Sequence, residues 1–308
     1  MKSMKVLFIC SGNRVGVSPI IKNQAESLIA KGIEIEYFTI IGKGWKGYFN
    51  NIKKIRLYLK THKYDIVHVH YSLSAFVTSL AGARALVVSL MGSDLKAAKW
   101  YKYIILLFQF LFQWKAVIVK SQDMYNELNL KSARIIPNGV NTDKFRPMDK
   151  TDCQKQLNWD SSKKHILFPA SPYRREKNYS LALDAVHTLR KEDVVLHYFD
   201  NIPNSVTPIW YNAADVVIMT SLWEGSPNAI KEALACCRPI VTTNVGDVNF
   251  LLGNVAGTFI SSFNKEEISS CLNNALQYNG TDGLKHIQSI QITSSIIAQK
   301  IINIYTNQ

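Results

Sequence analysis

The sequence predicts an α/β protein built from two consecutive doubly wound units, and three observations carry that expectation. Short apolar, β-branched runs alternate with longer amphipathic ones, which is the pattern of parallel βαβ units. The chain has 308 residues, at or beyond the ~250–300 that a single hydrophobic core organises, so two domains are expected. Near the middle, the stretch IIPNGVNTDKFRP (135–147) breaks the alternation with Pro, Asn, Gly and Asp, and reads as turns and a connection.

In the first half, strands are expected over 5–10, 34–40, 66–70, 85–90, 116–120 and 134–136, with helices over 19–31, 45–61, 73–82, 96–114 and 122–128. After the connection come a strand at 165–169, a helix at 179–189, a strand at 194–198, a helix at 207–213 and a strand at 215–220. The series continues with a helix at 227–236, strands at 239–243 and 257–260, and a helix at 266–276. In a last helix over 293–305, Ile296, Ile297, Lys300, Ile301 and Ile304 recur at helical spacing and give one apolar stripe. The domain boundaries drawn from this pass are 1–146, 147–292 and a C-terminal helix 293–308. Two such units would leave a cleft faced by strand carboxyl ends, where this architecture takes a ligand.

Composition narrows the classes. With 47% hydrophobic and 19% charged residues, neither disorder nor a fibrous repeat fits. Cys10, Cys153, Cys236, Cys237 and Cys271 show no CxxC spacing, so a zinc site is not expected and scattered free thiols suit a reducing cytosol. The apolar part of MKSMKVLFICSG (positions 6–10) is too short for a signal sequence and runs into a glycine loop, so it reads as a first strand. YIILLFQFLFQW (103–114) falls short of the ~20 residues that span a bilayer and is interrupted by Gln109 and Gln113. Its many large apolar groups suit either a core helix or a helix packed on one side with the other at a membrane interface. Flanking Lys96, Lys99, Lys102 and Lys115, with Lys43, Lys46, Lys53, Lys54 and Arg56, would suit an anionic membrane surface. Thirty-six Lys and Arg against 23 Asp and Glu give a net charge of +13, which implies an anionic partner: nucleotide phosphates, an anionic membrane face or nucleic acid.

The sharpest chemical signal is ADVVIMTSLWEGSPNAIKEALACCRPIVTTNVGDV (214–248). A buried strand ends in a loop holding Glu224 and Gly225, and Ser226 as N-cap with Pro227 at the first helical position marks a helix start. Backbone N–H groups after Ser226 would present an anion site. Ala229, Ile230, Ala233 and Leu234 face the sheet, whereas Glu232 lies off that stripe and is free for a ligand. A second element, HILFPASPYRREKNYSLALDAV, sets Arg174, Arg175 and Lys177 after a strand, as a leaving diphosphate would require. A third, CSGNRVGVSPIIKNQAESL, brackets a strand–helix turn with Gly12 and Gly16 but is no GxGxxG fingerprint. Gly16, with Val17 and Ser18, would allow close backbone approach.

The pair Glu224 and Glu232, seven residues apart in a strand–loop–helix, resembles the paired-glutamate motif of family 4 glycosyltransferases with the two-Rossmann GT-B fold. The resemblance covers most of the chain and implies a terminal helix that crosses back onto the first domain. It assigns Glu224 to the transferred sugar, Glu232 to the ribose hydroxyls, and Gly225, Ser226, Pro227 and Asn228 to an amide cradle for sugar and diphosphate. Lys177 matches the family's phosphate lysine. Pro172 stands where the family usually has an arginine, so Arg174 or Arg175 would substitute. In SLMGSDL, Met91 replaces a frequent histidine, leaving Gly92, Ser93 and Asp94 as acceptor-side loop contacts. His70 at the end of DIVHVHYS and Asn138 in the connector are further acceptor-side candidates, whereas His68 reads as a packed histidine. The second domain looks trimmed between Phe199 and Pro208.

The resemblance implies a cytoplasmic, retaining, metal-independent transferase acting from a UDP- or GDP-linked sugar. Its acceptor would be a glycan or lipid-linked group in bacterial surface-polysaccharide synthesis, with possible peripheral attachment to the inner membrane face. No cofactor or metal is expected, since no DxD motif has convincing strand-end placement and the basic loop can neutralise the leaving group. Another GT-B enzyme, such as a nucleotide-sugar epimerase, is the alternative. A nucleic-acid-binding protein fits the sequence pI of about 9.4 but no recognition motif.

Overall fold

β1 (Lys5–Ser11) sets the pattern of the first unit: Val6, Phe8 and Cys10 join one core cluster, Leu7 and Ile9 another, and all five are fully buried. A strand buried on both faces requires helices on both. A computed structural model describes residues 3–13, 16–96 and 100–307; Lys99 and the side chains of Ser93 and Lys96 lie outside that description. After β1 come α1 (Pro19–Ile29), β2 (Glu34–Ile40), α2 (Gly44–Phe49), α3 (Ile52–Thr61), β3 (Ile66–His70), α4 (Ser72–Leu80) and β4 (Leu86–Ser89). Then follow α5 (Gly92–Lys96), α6 (Tyr101–Phe112), β5 (Ala116–Val119), α7 (Gln122–Leu128) and β6 (Arg134–Ile135). The six strands form one parallel sheet in the order β2-β1-β3-β4-β5-β6.

Two helices differ from the sequence expectation. The single helix over 45–61 is broken into α2 and α3, because buried Asn51 turns its amide to the Ile41 carbonyl (2.9 Å) and the Gly47 carbonyl (2.7 Å). The apolar helix over 96–114 starts only at Tyr101, and of its residues only Tyr101 and Ile105 are buried. Phe108 packs on Phe76 at 4.3 Å, but Tyr103, Leu107, Phe110 and Leu111, with Trp100 just before the helix, are exposed, Phe110 to 79%. α6 is therefore packed on one side only, and the fully buried core helix is not what forms.

The second unit begins with α8 (Lys150–Gln156), capped by the Asp149 carboxylate on the Asp152 N–H, and β7 (Lys164–Phe168). A 3-10 turn at Arg175–Lys177 leads into α9 (Tyr179–Thr188), β8 (Val194–Tyr198), α10 (Thr207–Ala213), β9 (Val216–Met219) and α11 (Asn228–Ala235). β10 (Ile240–Thr243), α12 (Val248–Leu252), β11 (Thr258–Ser261), α13 (Lys265–Ala275) and α14 (Gly283–Ser289) complete it. Its parallel sheet runs β11-β10-β9-β7-β8. α8 and α14 carry too few apolar residues at helical spacing to announce themselves, and α12 (VNFLL) is too short to show a period.

α15 (Ser294–Thr306) returns to the first unit. The compact units are Met1–Gly139 with Ser294–Gln308, and Val140–Thr293. The division falls before Val140 and not at 146, because Val140 donates its N–H to the Ile292 carbonyl (3.1 Å) and, with Phe145, is buried in the second unit's core. In the first unit, Ile297, Ala298, Ile301 and Tyr305 join Ile21, Ala25 and Leu28 of α1 over one face of the sheet. The Tyr305 hydroxyl meets His68 Nδ1 at 2.5 Å, and His68 Nε2 meets Ser89 Oγ at 2.8 Å, so His68 is the packed histidine the sequence suggested.

Tyr305→Ala removes a buried aromatic side chain and leaves His68 without that partner, so it is expected to destabilise the protein by about 3–5 kcal/mol. Tyr305→Phe, which loses only the hydrogen bond, should cost roughly 1–2 kcal/mol. Urea unfolding followed by circular dichroism checks the order; equal midpoints for the two variants would contradict it.

Candidate functional site

In the second unit the strand order reverses between β7 and β9. α9, which follows β7, packs on the face bearing Ile166 and Phe168. α11, which follows β9, packs on the opposite face with Leu167, Val217 and Met219. The two loops therefore part at the strand carboxyl ends, the place where open parallel sheets bind ligands. Of the donor residues expected from the sequence, Arg174, Arg175, Lys177 and residues 224–227 lie on these two loops, Asn228 and Glu232 on α11, and Gly16 in the first unit.

The loops are tied together before any ligand arrives. Lys177 Nζ makes a short ion pair with Glu224 Oε1, which also accepts from Ser221 Oγ at 2.8 Å. Leu222 donates its N–H to the Glu176 carbonyl (2.9 Å), and Thr220 Oγ1 donates to the carbonyls of Asn178 (2.9 Å) and Lys177 (3.2 Å). On the other side Thr243 Oγ1 donates to the Ser221 carbonyl at 2.8 Å. Gly246, at φ +60°, lies so close that a Cβ there would stand 2.6 Å from the Gly225 carbonyl oxygen and 3.0 Å from that of Glu224. Only glycine permits both that backbone angle and that approach. Arg174 is bound to Glu176 at 2.7 Å, whereas Arg175 is exposed and held by no ion pair among the described residues.

α11 begins one residue later than expected. Pro227, extended at φ −69° and ψ 119°, holds the cap position in place of Ser226, and it has no side chain with which to cap. The first N–H groups of α11 are thus without a side-chain cap, and they form the kind of helix end that attracts an anion. Ser226 Oγ and Asn228 Oδ1 are buried beside it without a hydrogen-bond partner.

Glu232, half-buried on α11, accepts a hydrogen bond on Oε2 from the fully buried Tyr211 hydroxyl at 2.9 Å. Desolvation pushes its pKa up to about 7, against the opposing pull of Tyr211, Lys144 and Lys231. Lys231 is fully buried, and desolvation pushes its pKa down to about 8 although Asp247, Glu232 and Glu224 draw the other way.

The first unit has its own reversal, between β1 and β3, whose following helices α1 and α4 pack on opposite faces. Gly16 lies in the loop after β1 at φ +74°, with nothing within 4 Å of a would-be Cβ. The acceptor-side residues are less accessible than expected. His70 is buried, stacked on His68 at 4.5 Å and beside Phe8 at 4.8 Å; desolvation holds its pKa down to about 3, so it is a neutral core histidine. Asp94 is fully buried too, accepting from the Ser72 N–H (2.8 Å), the Ser72 hydroxyl (2.5 Å) and the Met91 N–H. It clamps the turn in which Tyr71 takes φ +84°, a structural task at a position closed to solvent. Gly92 opens α5 with partial exposure, and Asn138 lines a small cavity with Gln24, Ser27 and Ser294.

Residues 17–144 match the family model described as Glycosyltransferase Family 4, and residues 199–278 match that of Glycosyl transferases group 1. The chain is a glycosyltransferase with a family 4 domain and a group 1 domain. It is 27% identical over 290 residues to UDP-Gal:alpha-D-GlcNAc-diphosphoundecaprenol alpha-1,3-galactosyltransferase of Escherichia coli, covering 78% of this chain and 72% of that one. It is 23% identical over 216 residues to the putative teichuronic acid biosynthesis glycosyltransferase TuaC of Bacillus subtilis (strain 168), covering 61% and 55%. The fold is GT-B: sucrose-phosphate synthase from Thermosynechococcus elongatus superposes with a TM-score of 0.79 at 16% identity over 99% of this chain and 98% of that one. Anabaena Alr3699/HepE, solved in complex with UDP and glucose, superposes at 0.76 with 17% identity over 99% and 100%.

The sequence reading of this glycosyltransferase missed Ser221, Tyr211 and Lys231. Lys231 had a signal: Pro227, Ile230, Lys231 and Leu234 follow the i, i+3, i+4, i+7 rule of one buried helix face, and a lysine interrupts it. Tyr211 had none, because its partner lies on another helix.

A carboxyl whose folded pKa is raised contributes stability that is complete below its unfolded value, here 4.5, and lost as pH rises through about 7. Glu232→Gln keeps the acceptor for Tyr211 and removes the charge. The ligand-free variant is expected to melt ~2–4 °C above wild type at pH 8, on the order of 1 kcal/mol after discount for partial exposure, and near wild type at pH 5. Differential scanning calorimetry at the two pH values checks this; a pH-independent difference contradicts the desolvated carboxylate.

Proposed function

We propose that this glycosyltransferase moves a hexose from a UDP- or GDP-linked donor to a lipid-linked glycan acceptor in bacterial surface-polysaccharide synthesis, with retention of configuration and without a metal ion. The observation that carries the reading is the Lys177–Glu224 pair at the β7/β9 reversal, with an uncapped helix end beside it and Glu232 further along that helix. In this reading Glu232 takes the ribose hydroxyls and Glu224 the hexose hydroxyls. The α11 amides and Lys177, with Arg175 extending from the same loop, take the diphosphate.

The chemistry needs positive charge where the departing diphosphate gains negative charge. A diphosphate entering the loop competes with Glu224 for Lys177, and the carboxylate that gives up the lysine can turn to the sugar. A front-face transfer, in which the leaving phosphate oxygen accepts the proton of the acceptor hydroxyl, asks for no protein nucleophile. The lipid-linked acceptor is supported by the name of the Escherichia coli relative and by α6. No helix among the described residues is long and apolar enough to cross a membrane. The exposed face of α6, with Lys102 beside it, is instead suited to lie along a bilayer interface. Trp45 and Phe49 of α2 are exposed too, and Trp45 meets Tyr101 of α6 at 6.1 Å. That arrangement fits a peripheral enzyme on the cytoplasmic membrane face.

Lys177→Ala is expected to lower turnover by ~10²-fold or more while EDTA leaves the parent enzyme active. Glu224→Ala should lower turnover more than nucleotide affinity, and Glu232→Ala the reverse. Transfer from UDP- and GDP-sugars to a polyprenyl-diphosphate-linked acceptor, with the anomeric configuration read by NMR, checks all three. Inversion of configuration, or strict dependence on added Mn²⁺, would refute the mechanism.

The enzyme is expected to pellet with anionic liposomes at low salt and less at high salt, and Leu107→Ser with Phe110→Ser should abolish this without lowering the melting temperature, because both side chains are exposed. Undiminished pelleting of the double variant would remove α6 from the reading.

A further inference from the structure

Lys231 is one of the largest fully buried side chains of the protein, 1% exposed. Lysine is almost never fully buried unless paired, because its ammonium is costly to desolvate. Its place in the helix adds to that cost. Helical side chains lean toward the N-terminus, and Lys231, at the end of the first turn of α11, brings Nζ back to the Ser226 carbonyl at 3.5 Å. That end of a helix already carries partial positive charge. The acidic groups that act on the ammonium are Asp247 from the β10–α12 turn, Glu232 from α11 and Glu224 from the loop. Two of them have other partners: Glu224 is paired with Lys177, and Glu232 is held by Tyr211 of α10. An apolar residue completing the stripe of Pro227, Ile230 and Leu234 would avoid these penalties. The loop beneath which the ammonium lies is the one pressed by Gly246 and held at the Gly225 carbonyl by the Asp247 N–H at 3.3 Å.

We propose that Lys231 is a positioning residue for the donor diphosphate: its buried charge braces the carbonyl side of the 224–226 loop, and its field makes the α11 N-terminus favour two phosphates over one. This rests on the donor-site reading above. A positive charge placed without contact at a helix end strengthens binding more for a ligand of greater negative charge, whereas a purely mechanical brace acts equally on every ligand of the loop.

The test is calorimetric titration of the full-length protein with UDP, UMP, GDP and GMP, for wild type, Lys231→Met and Lys231→Gln. The methionine variant fills the space without charge, and the glutamine variant keeps a donor for the Ser226 carbonyl without charge. Both are expected to fold, and to lose about tenfold or more in affinity for the diphosphate of the preferred base but less than about threefold for its monophosphate. Equal losses for the two nucleotides would make Lys231 a mechanical brace and overturn the proposal, as would unchanged diphosphate affinity. If neither variant folds, Lys231 is structural and the proposal falls. If wild type binds none of the four nucleotides, the donor-site reading itself fails, an outcome distinct from tight wild-type binding that the variants leave unchanged.

Discussion

The reversal of strand order between β7 and β9 is the constraint on which the site depends. Parallel neighbours whose crossover helices leave to the same face have their following loops covered by one helix layer. Here α9 and α11 leave to opposite faces, so the loops after β7 and β9 separate above the sheet. Side chains on those loops can then meet each other and a ligand while remaining anchored in regular structure. Lys177 and Glu224 are 47 residues apart in the chain yet form one ion pair for this reason. The same reversal between β1 and β3 leaves room around Gly16 in the first unit.

Around the second reversal, polar groups fall into two environments. Lys177 and Glu224 retain some contact with solvent, so their pairing is an exchangeable interaction that a ligand of comparable charge can replace. Glu232 and Lys231 lie deeper, where desolvation moves both toward their neutral forms. Neighbouring residues of one helix therefore respond to burial in opposite directions, an acid raised and a base lowered. Charge at this depth is set by the company each group keeps, and an arriving anion or hydroxyl pair changes that company.

Much of this was legible in the chain. The alternation of apolar runs located the eleven strands of the described residues, most plainly β4 and β9, because parallel strands buried on both faces are nearly continuous Val, Ile and Leu. Glu224, Lys177 and the α11 stripe were readable from strand-end placement and helical spacing. Short helices such as α8 (KTDCQKQ) were not, since three turns or fewer of mostly polar residues have no period to detect. Nor was the division of labour at Asp94 and His70. A carboxylate near a glycine and a histidine at a strand end have the same sequence signature whether they face a ligand or close a turn. Only the positive φ of Tyr71 and the buried network behind it distinguish the two.

The return of α15 to the first unit gives the chain an order of completion. The whole of Val140–Thr293 is inserted between the first 139 residues and the helix that covers their α1 face. During synthesis, Ile21, Ala25 and Leu28 stay without Ile297, Ile301 and Tyr305 until α15 has left the ribosome. The second unit, continuous in sequence, is released whole before that and can fold at once. The ends of its insertion are already joined, as Val140 bridges to Thr293. The unit that starts first therefore finishes last, and a nascent chain stalled before α15 would present an apolar groove of its own making to any chaperone within reach.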